Sequence, residues 1–174
     1  MDKKLNYFEL FEIPVSFDLE MSLLTKKYYA LSMQFHPDRF TLKSEEEQAS
    51  ALMKSTEINE AYRTLKDNQK RIKYILKLYD VEFVEGKERV PQEFLMEMME
   101  INEQLTEYKF DPDPSKAEVL HNEIDKIEEL LNAEVSLIFT KFNSKTTNPN
   151  ELQIVKSYYL KTQYLNNLKN NLNG

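Results

Sequence analysis

Apolar residues recur at spacings of three and four along almost the whole chain, and prolines interrupt this pattern rather than sit inside it. Leu5, Phe8 and Phe11 mark a short first helix over residues 5–12. Leu24, Tyr28, Leu31 and Phe35 form a second stripe that stops before Pro37. Ala51, Ser55, Ile58, Tyr62 and Leu65 form a third, opened by Ser44 and Glu47 at capping-box spacing. Ile72, Ile75, Leu76 and Tyr79 follow. Beyond Gly86 come Phe94, Met98, Ile101, Leu105 and Tyr108, with Pro91 early in that helix. Ala117, Leu120, Ile124, Ile127, Leu131 and Ile138 make a long sixth stripe, and Ile154, Tyr158, Leu165, Leu168 and Leu172 the last. A proline inside a helix costs about 3 kcal/mol. Pro14, Pro37, Pro91, Pro112, Pro114 and Pro149 therefore mark helix starts or ends. No segment alternates with period two, so the pattern predicts an all-α protein.

Charge divides the chain. Residues 1–80 carry 13 Lys+Arg and 13 Asp+Glu, whereas residues 81–174 carry 10 and 17, so the whole net charge of -7 lies in the second part. With Gly86 among polar residues, this predicts an N-terminal module over 1–80, a linker over 81–90 and a C-terminal module over 91–174. The second module reads as three antiparallel helices, joined at Pro112/Pro114 and around Asn148-Pro149. Its negative field repels nucleic acid and anionic membrane.

Composition removes several chemistries. The 174 residues include no cysteine, which excludes disulfides, thiol nucleophiles and thiolate-held clusters. The only glycines are Gly86 and Gly174, too few for a phosphate-cradling loop. Two histidines, His36 and His121, argue against a histidine metal site, and no metal or other cofactor is expected. His121 is read as a surface or rim residue. No apolar run reaches the ~18 residues that span a membrane. The beginning of the chain lacks an apolar leader, and Asp2 argues against a mitochondrial presequence, so the cytoplasm is expected.

The tripeptide His36-Pro37-Asp38 stands between two expected helices. At average residue usage a chain of this length contains it by chance roughly once in a hundred. Its surroundings add weight: Lys26-Lys27-Tyr28 before it, Arg39-Phe40 after it, and Ile58-Asn59-Glu60-Ala61-Tyr62-Arg63-Thr64-Leu65-Lys66-Asp67 further on. Upstream lies Tyr7-Phe8-Glu9-Leu10-Phe11. Pro37 stops the preceding helix and pushes His36 toward extended backbone. Asp38 is expected to accept backbone amides and stiffen the turn. The tripeptide alone also reads as an ordinary helix–helix turn. An acid/base reading of His36 and Asp38 finds no nucleophile or oxyanion device beside it.

With its flanks, this segment resembles the J-domain, over about residues 5–78. The resemblance implies a helical hairpin with His36-Pro37-Asp38 at its tip, docking on a DnaK-type chaperone and stimulating its ATPase. Carried over, Lys26, Lys27, His36, Pro37, Asp38 and Arg39 are the chaperone contacts. The chain itself is then not an enzyme. Gly/Phe-rich and cysteine-rich regions of general DnaJ proteins are missing. A J-domain followed by an acidic helical module resembles instead the HscB family of iron–sulfur cluster biogenesis. Phe94-Leu95-Met96-Glu97-Met98-Met99-Glu100-Ile101-Asn102-Glu103-Gln104-Leu105-Thr106-Glu107 is similar to that family's C-terminal segment. The cysteine-bearing zinc extension of eukaryotic relatives is missing, which favours the bacterial type.

At about 100° per residue, Phe94, Met98, Ile101, Leu105 and Tyr108 share one side of their helix. Met96, Glu100, Glu103 and Glu107 lie opposite, with Leu95 and Met99 on the flank beside them. Tyr159 sits about 100° from Tyr158 on the last helix. Apolar residues beside glutamates and away from the core point to an exposed binding patch. The resemblance implies that Leu95, Met96, Met99, Glu100, Glu103, Glu107 and Tyr159 bind the cluster-scaffold protein. The competing readings are core for Leu95 and Met99 and a solvated face for the glutamates. A general folding J-protein and a purely structural helical adaptor remain the alternatives for the whole chain.

Overall fold

A computed structural model describes residues 5–84, 88–142 and 148–173, so the expected break at Gly86 lies outside the described residues. Among the described residues, eight α-helices run in the order α1 Tyr7–Leu10, α2 Met21–Gln34, α3 Glu45–Lys66, α4 Asn68–Leu78, α5 Gln92–Glu97, α6 Met99–Phe110, α7 Pro114–Lys141 and α8 Pro149–Asn173, with a 3₁₀ turn at Pro37–Phe40. No strand occurs among the described residues. The chain divides into two compact units, Met1–Ile75 and Leu76–Gly174, with the division inside α4.

The first unit is built on α2 and α3. Thr25 meets Tyr62, and Tyr28 donates its hydroxyl to Asn59 at 2.9 Å. The residue numbers in both pairs have the same sum, as an antiparallel hairpin requires. Tyr28 also stacks on Tyr62 at 4.0 Å between ring centroids. Leu24, Ala51, Ile58, Ala61 and Leu65 fill the seam, and Phe8, Phe11, Phe17, Ile72 and Ile75 close the core around it. The expected capping box opens α3: Ser44 Oγ accepts the Glu47 amide at 3.2 Å, and Glu47 accepts the Ser44 amide at 3.1 Å. Asn6 and Glu9 make a second such box on α1. Since glycine is nearly absent, α1 and α4 end on non-glycine residues in the left-handed region, Glu12 at φ 51° and Asp80 at φ 56°. The next amides, of Ile13 and Val81, reach back five residues to the Phe8 and Leu76 carbonyls.

Arg71 is the buried charge of this unit, 7% exposed. Its Nε donates to the Phe17 carbonyl at 3.1 Å, one terminal nitrogen to the Leu65 carbonyl at 2.7 Å, and the other to Asn68 Oδ1 at 2.9 Å. Burial pulls its ionisation downward, against the favourable fields of Asp18 and Asp67.

In the second unit α7 and α8 lie antiparallel. Tyr158 donates to Asn132 at 2.7 Å, Lys161 faces Glu134 at 3.8 Å, and Lys169 bridges Asp125 at 2.6 Å and Glu128. Leu120, Ile124, Leu131 and Val135 of α7 pack with Val155, Tyr158, Leu165 and Leu168 of α8 in the core, which Phe94, Ile101 and Leu105 extend. Lys156 fastens the segment before α5: its ammonium donates to the Glu82 carbonyl at 2.7 Å and meets Glu88 at 3.0 Å. The described part of the expected 81–90 linker is thus held against α8.

The single helix expected across Pro91 to Tyr108 is two helices, a correction to the sequence reading. Pro91 caps α5, and the backbone breaks at Met98, with φ -84° and ψ 0°. The Met98 carbonyl takes both the Asn102 amide at 3.0 Å and the Asn102 side chain at 2.6 Å. The side chain thus shares this acceptor with its own backbone amide at the point where the helix breaks. Asn102 is held there by Tyr164, to whose hydroxyl it also donates at 2.7 Å.

Two outcomes are expected from this packing. Arg71→Met leaves two backbone carbonyls and Asn68 without their donor and lowers stability by about 3 kcal/mol; Arg71→Lys does not rescue it, because one ammonium cannot reproduce the fork. Urea unfolding followed by circular dichroism measures both. The second outcome concerns acid. The hydrogen bond from Lys169 holds the Asp125 carboxyl below its usual range, with the lysine's charge adding to the effect. A depressed carboxyl stabilises the fold above its unfolded-state pKa and loses that contribution as pH falls through the folded value. Stability therefore drops below about pH 4, and Lys169→Met shows a flatter acid limb in urea titrations at pH 5 and pH 3.

Candidate functional site

The loop between α2 and α3 is a built turn. Phe35 closes α2, its amide donating to the Leu31 carbonyl at 3.0 Å. His36 follows in extended backbone, φ -64° and ψ 128°, as a residue before proline prefers. Pro37 then starts the 3₁₀ turn, where its missing N–H leaves nothing unsatisfied. The cap of that turn is the His36 ring: Nδ1 accepts the Asp38 amide at 3.3 Å. The expectation that Asp38 would do the capping is corrected. The Asp38 carboxylate instead faces His36 Nδ1 at 3.5 Å and stays largely in solvent. Nδ1 accepts the amide only as neutral imidazole; once protonated there, it donates toward Asp38. Arg39 folds back and donates to the Met33 carbonyl at 3.2 Å, covering the end of α2. Thr41 and Gln48 tie the rest of the loop through the Asp38, Thr41 and Lys43 carbonyls.

His36, Pro37, Asp38 and Arg39 are all exposed at this tip, and Lys26 is exposed on α2. Lys27 is not free: its ammonium meets Glu12 at 2.6 Å. The hydrogen bond and charge of Lys27 hold the Glu12 carboxyl below its usual range. Glu12 went unnoticed in the sequence because it reaches Lys27 only from its left-handed backbone position. At the far end of α3, Tyr7 hydrogen-bonds Glu60, and partial burial with that carboxylate pushes the phenol up to about 12.

On the second unit, Leu95, Met96 and Met99 are 38%, 62% and 57% exposed, so the core reading of Leu95 and Met99 fails. Glu100, Glu103 and Glu107 are exposed on the same helices. Among the described residues none of these three carboxylates makes an ion pair with a lysine or arginine. Six of the seven residues are therefore exposed, Leu95 and Met96 on α5 and Met99, Glu100, Glu103 and Glu107 on α6.

Tyr159 is the exception and is corrected. It is 3% exposed, its ring set edge-on to Phe83 at 5.3 Å and its hydroxyl accepting from Gln163 at 2.7 Å. A position 100° from the core centre is covered here by residues 81–84, which no helical wheel contains. His121 is half-buried on α7, one turn before Asp125. Among the described residues no helix is long and apolar enough to cross a membrane.

A helical hairpin carrying His-Pro-Asp at a stiffened, exposed tip defines a J-domain protein, and residues 6–74 match the DnaJ domain family. Residues 90–173 match the HSCB C-terminal oligomerisation domain. The chain is 41% identical over 115 residues to a co-chaperone HscB homologue of Vibrio cholerae, covering 65% of this chain and 67% of that one. Against the homologue of Colwellia psychrerythraea it is 36% identical over 138 residues, covering 76% and 79%. Among solved structures, the chaperone HscB from Vibrio cholerae superposes with a TM-score of 0.77 at 30% identity, over 97% of this chain and 96% of that one. The human co-chaperone HscB gives 0.82 at 26% identity, over 99% and 83%. The chain belongs to the HscB co-chaperone family. As such it is a J-domain co-chaperone of iron–sulfur cluster biogenesis. It acts by stimulating the ATPase of an Hsp70-type chaperone and is not itself an enzyme.

Proposed function

We propose that residues 91–174 form the client-binding domain, and that its client is the cluster-scaffold protein. Leu95, Met96, Met99, Glu100, Glu103 and Glu107 make the contact. Tyr159 backs the domain from inside rather than touching the client. The co-chaperone hands the client to an HscA/DnaK-class ATPase, in the cytoplasm, through Lys26, Lys27, His36, Pro37, Asp38 and Arg39. Any cluster is held by the scaffold, because this chain has no thiolate to offer.

One observation carries this reading: three exposed apolar side chains stand beside unpaired carboxylates on α5 and α6. Apolar surface of that kind is stabilised by a partner, and methionine adapts to the partner's shape. Family membership supplies the chaperone side. The J-domain has to bind the hydrolysis-competent state of the ATPase better than the resting state, since equal affinity for both shifts nothing. A tip fixed by the His36 cap and the Arg39 bond enters that contact with little ordering cost.

Steady-state ATPase activity of the same organism's HscA-class chaperone tests the whole scheme. The expected result is stimulation by this protein, further stimulation when the scaffold is added, and loss of both with His36→Gln. Stimulation without scaffold synergy would favour a general folding J-protein, and no stimulation would leave only a structural adaptor. Within the client surface, Leu95→Ala or Met96→Ala is expected to weaken scaffold binding by about 2 kcal/mol, roughly 30-fold. Glu107→Ala is expected to cost at most about 1 kcal/mol. Calorimetric titration of the three variants checks the ranking, and equal losses would overturn it.

A further inference from the structure

Phe110 is the last residue of α6 and is 87% exposed. Its backbone neighbour Asp111 closes the helix through its own amide, bonded to the Glu107 carbonyl at 3.0 Å, so the cap does not use the ring. At 100° per residue, Phe110 lies only about 20° around α6 from Met99 and about 16 Å along it. Glu103 and Glu107 fall between them on the same face and are exposed. Thr106 also lies there, but its hydroxyl is turned to the Asn102 carbonyl at 2.8 Å. The strip therefore reads apolar, acidic, apolar, with a methionine at one end and an aromatic ring at the other.

A phenylalanine 87% exposed buries little of its ring in this fold. It is a large anchor that loses little side-chain entropy when captured. Between the two apolar ends, carboxylates without counter-ions favour a basic surface opposite. We infer that the client surface is bipartite: Phe110 is a second anchor, and the bound face of the scaffold carries a basic patch between two apolar recesses about 16 Å apart. This rests on the scaffold reading above. The aromatic end gives the contact a direction, since reversing the partner along α6 would set a methionine-shaped recess over a ring.

The test is calorimetric titration of the scaffold protein into the full-length chain and into Leu95→Ala, Met99→Ala, Phe110→Ala and Met99→Ala/Phe110→Ala. Phe110→Ala is expected to raise Kd at least tenfold with little change in the urea midpoint, because the ring is 87% exposed. Sites this far apart act independently, so the double variant is expected to show the product of the two single losses within about twofold. A Kd within twofold of wild type for Phe110→Ala, with Leu95→Ala impaired, overturns the second anchor and leaves the scaffold reading standing. Absence of binding by the wild-type chain removes both.

Discussion

The Arg71 guanidinium joins three points at the base of the J-domain: the Phe17 carbonyl in the loop before α2, the Leu65 carbonyl at the end of α3, and the Asn68 side chain at the start of α4. Everything above that point is a two-helix hairpin, which has a narrow seam and no disulfide to brace it. The hairpin's seam is aromatic and polar as much as aliphatic, through Tyr28, Tyr62, Asn59 and Thr25. Such a seam fixes register because its hydrogen bonds fail if the helices slide. The base fixes where the hairpin starts, the seam fixes how it runs, and the tip is thereby placed at a defined distance from the core. Removing the guanidinium would strand carbonyls whose desolvation has already been incurred.

The tip shows how sequence and local geometry divide the work. Proline at position 37 and extended backbone at His36 were legible because both follow from steric rules on neighbouring residues. The direction of the cap was not. Asp38 and His36 both carry acceptors two positions apart, and only the turn's curvature decides that the imidazole, not the carboxylate, meets the amide. The same limit applies elsewhere. The Ser44–Glu47 box is local and was readable. At the break at Met98, the Asn102 side chain that shares its carbonyl is also bonded to Tyr164, 62 residues away from Asn102 in the chain. Tyr159 was misread for a related reason, since its cover comes from a non-helical segment pinned by Lys156. Phe110 escaped because the expected stripe ended at Tyr108, and nothing in periodicity says how a helix end faces solvent.

Charge in the second unit is less uniform than its net value implies. Lys156, Lys161 and Lys169 are each spent on carboxylates within the unit, with Glu88, Glu134, Asp125 and Glu128 as partners. Partial burial pulls the Lys169 ammonium down, yet its two carboxylates outweigh this and hold it above the usual range. With those cations committed between the helices, the acids of α6 keep an uncompensated field. In the J-domain, Glu12 takes up Lys27, and among the described residues Lys26 makes no ion pair. In each unit, which charges face a partner is set by which ones the packing consumes.

A delivery protein must release what it carries, and this bounds how its surface can be built. Exposed carboxylates each contribute at most about 1 kcal/mol and are screened by salt, so on the proposed client surface three of them would steer and orient more than hold. Holding falls to the apolar side chains, and a few suffice, because desolvated anchors carry most of the free energy of a contact. Leu95, Met96 and Met99 are grouped at the N-terminal end of the α5–α6 surface. A contact confined there would leave the client free to pivot about one end. In the proposed contact, an aromatic ring at the other end of the same strip would remove that freedom without adding much area, which is what an interface needs if it is to be specific in orientation and still come apart.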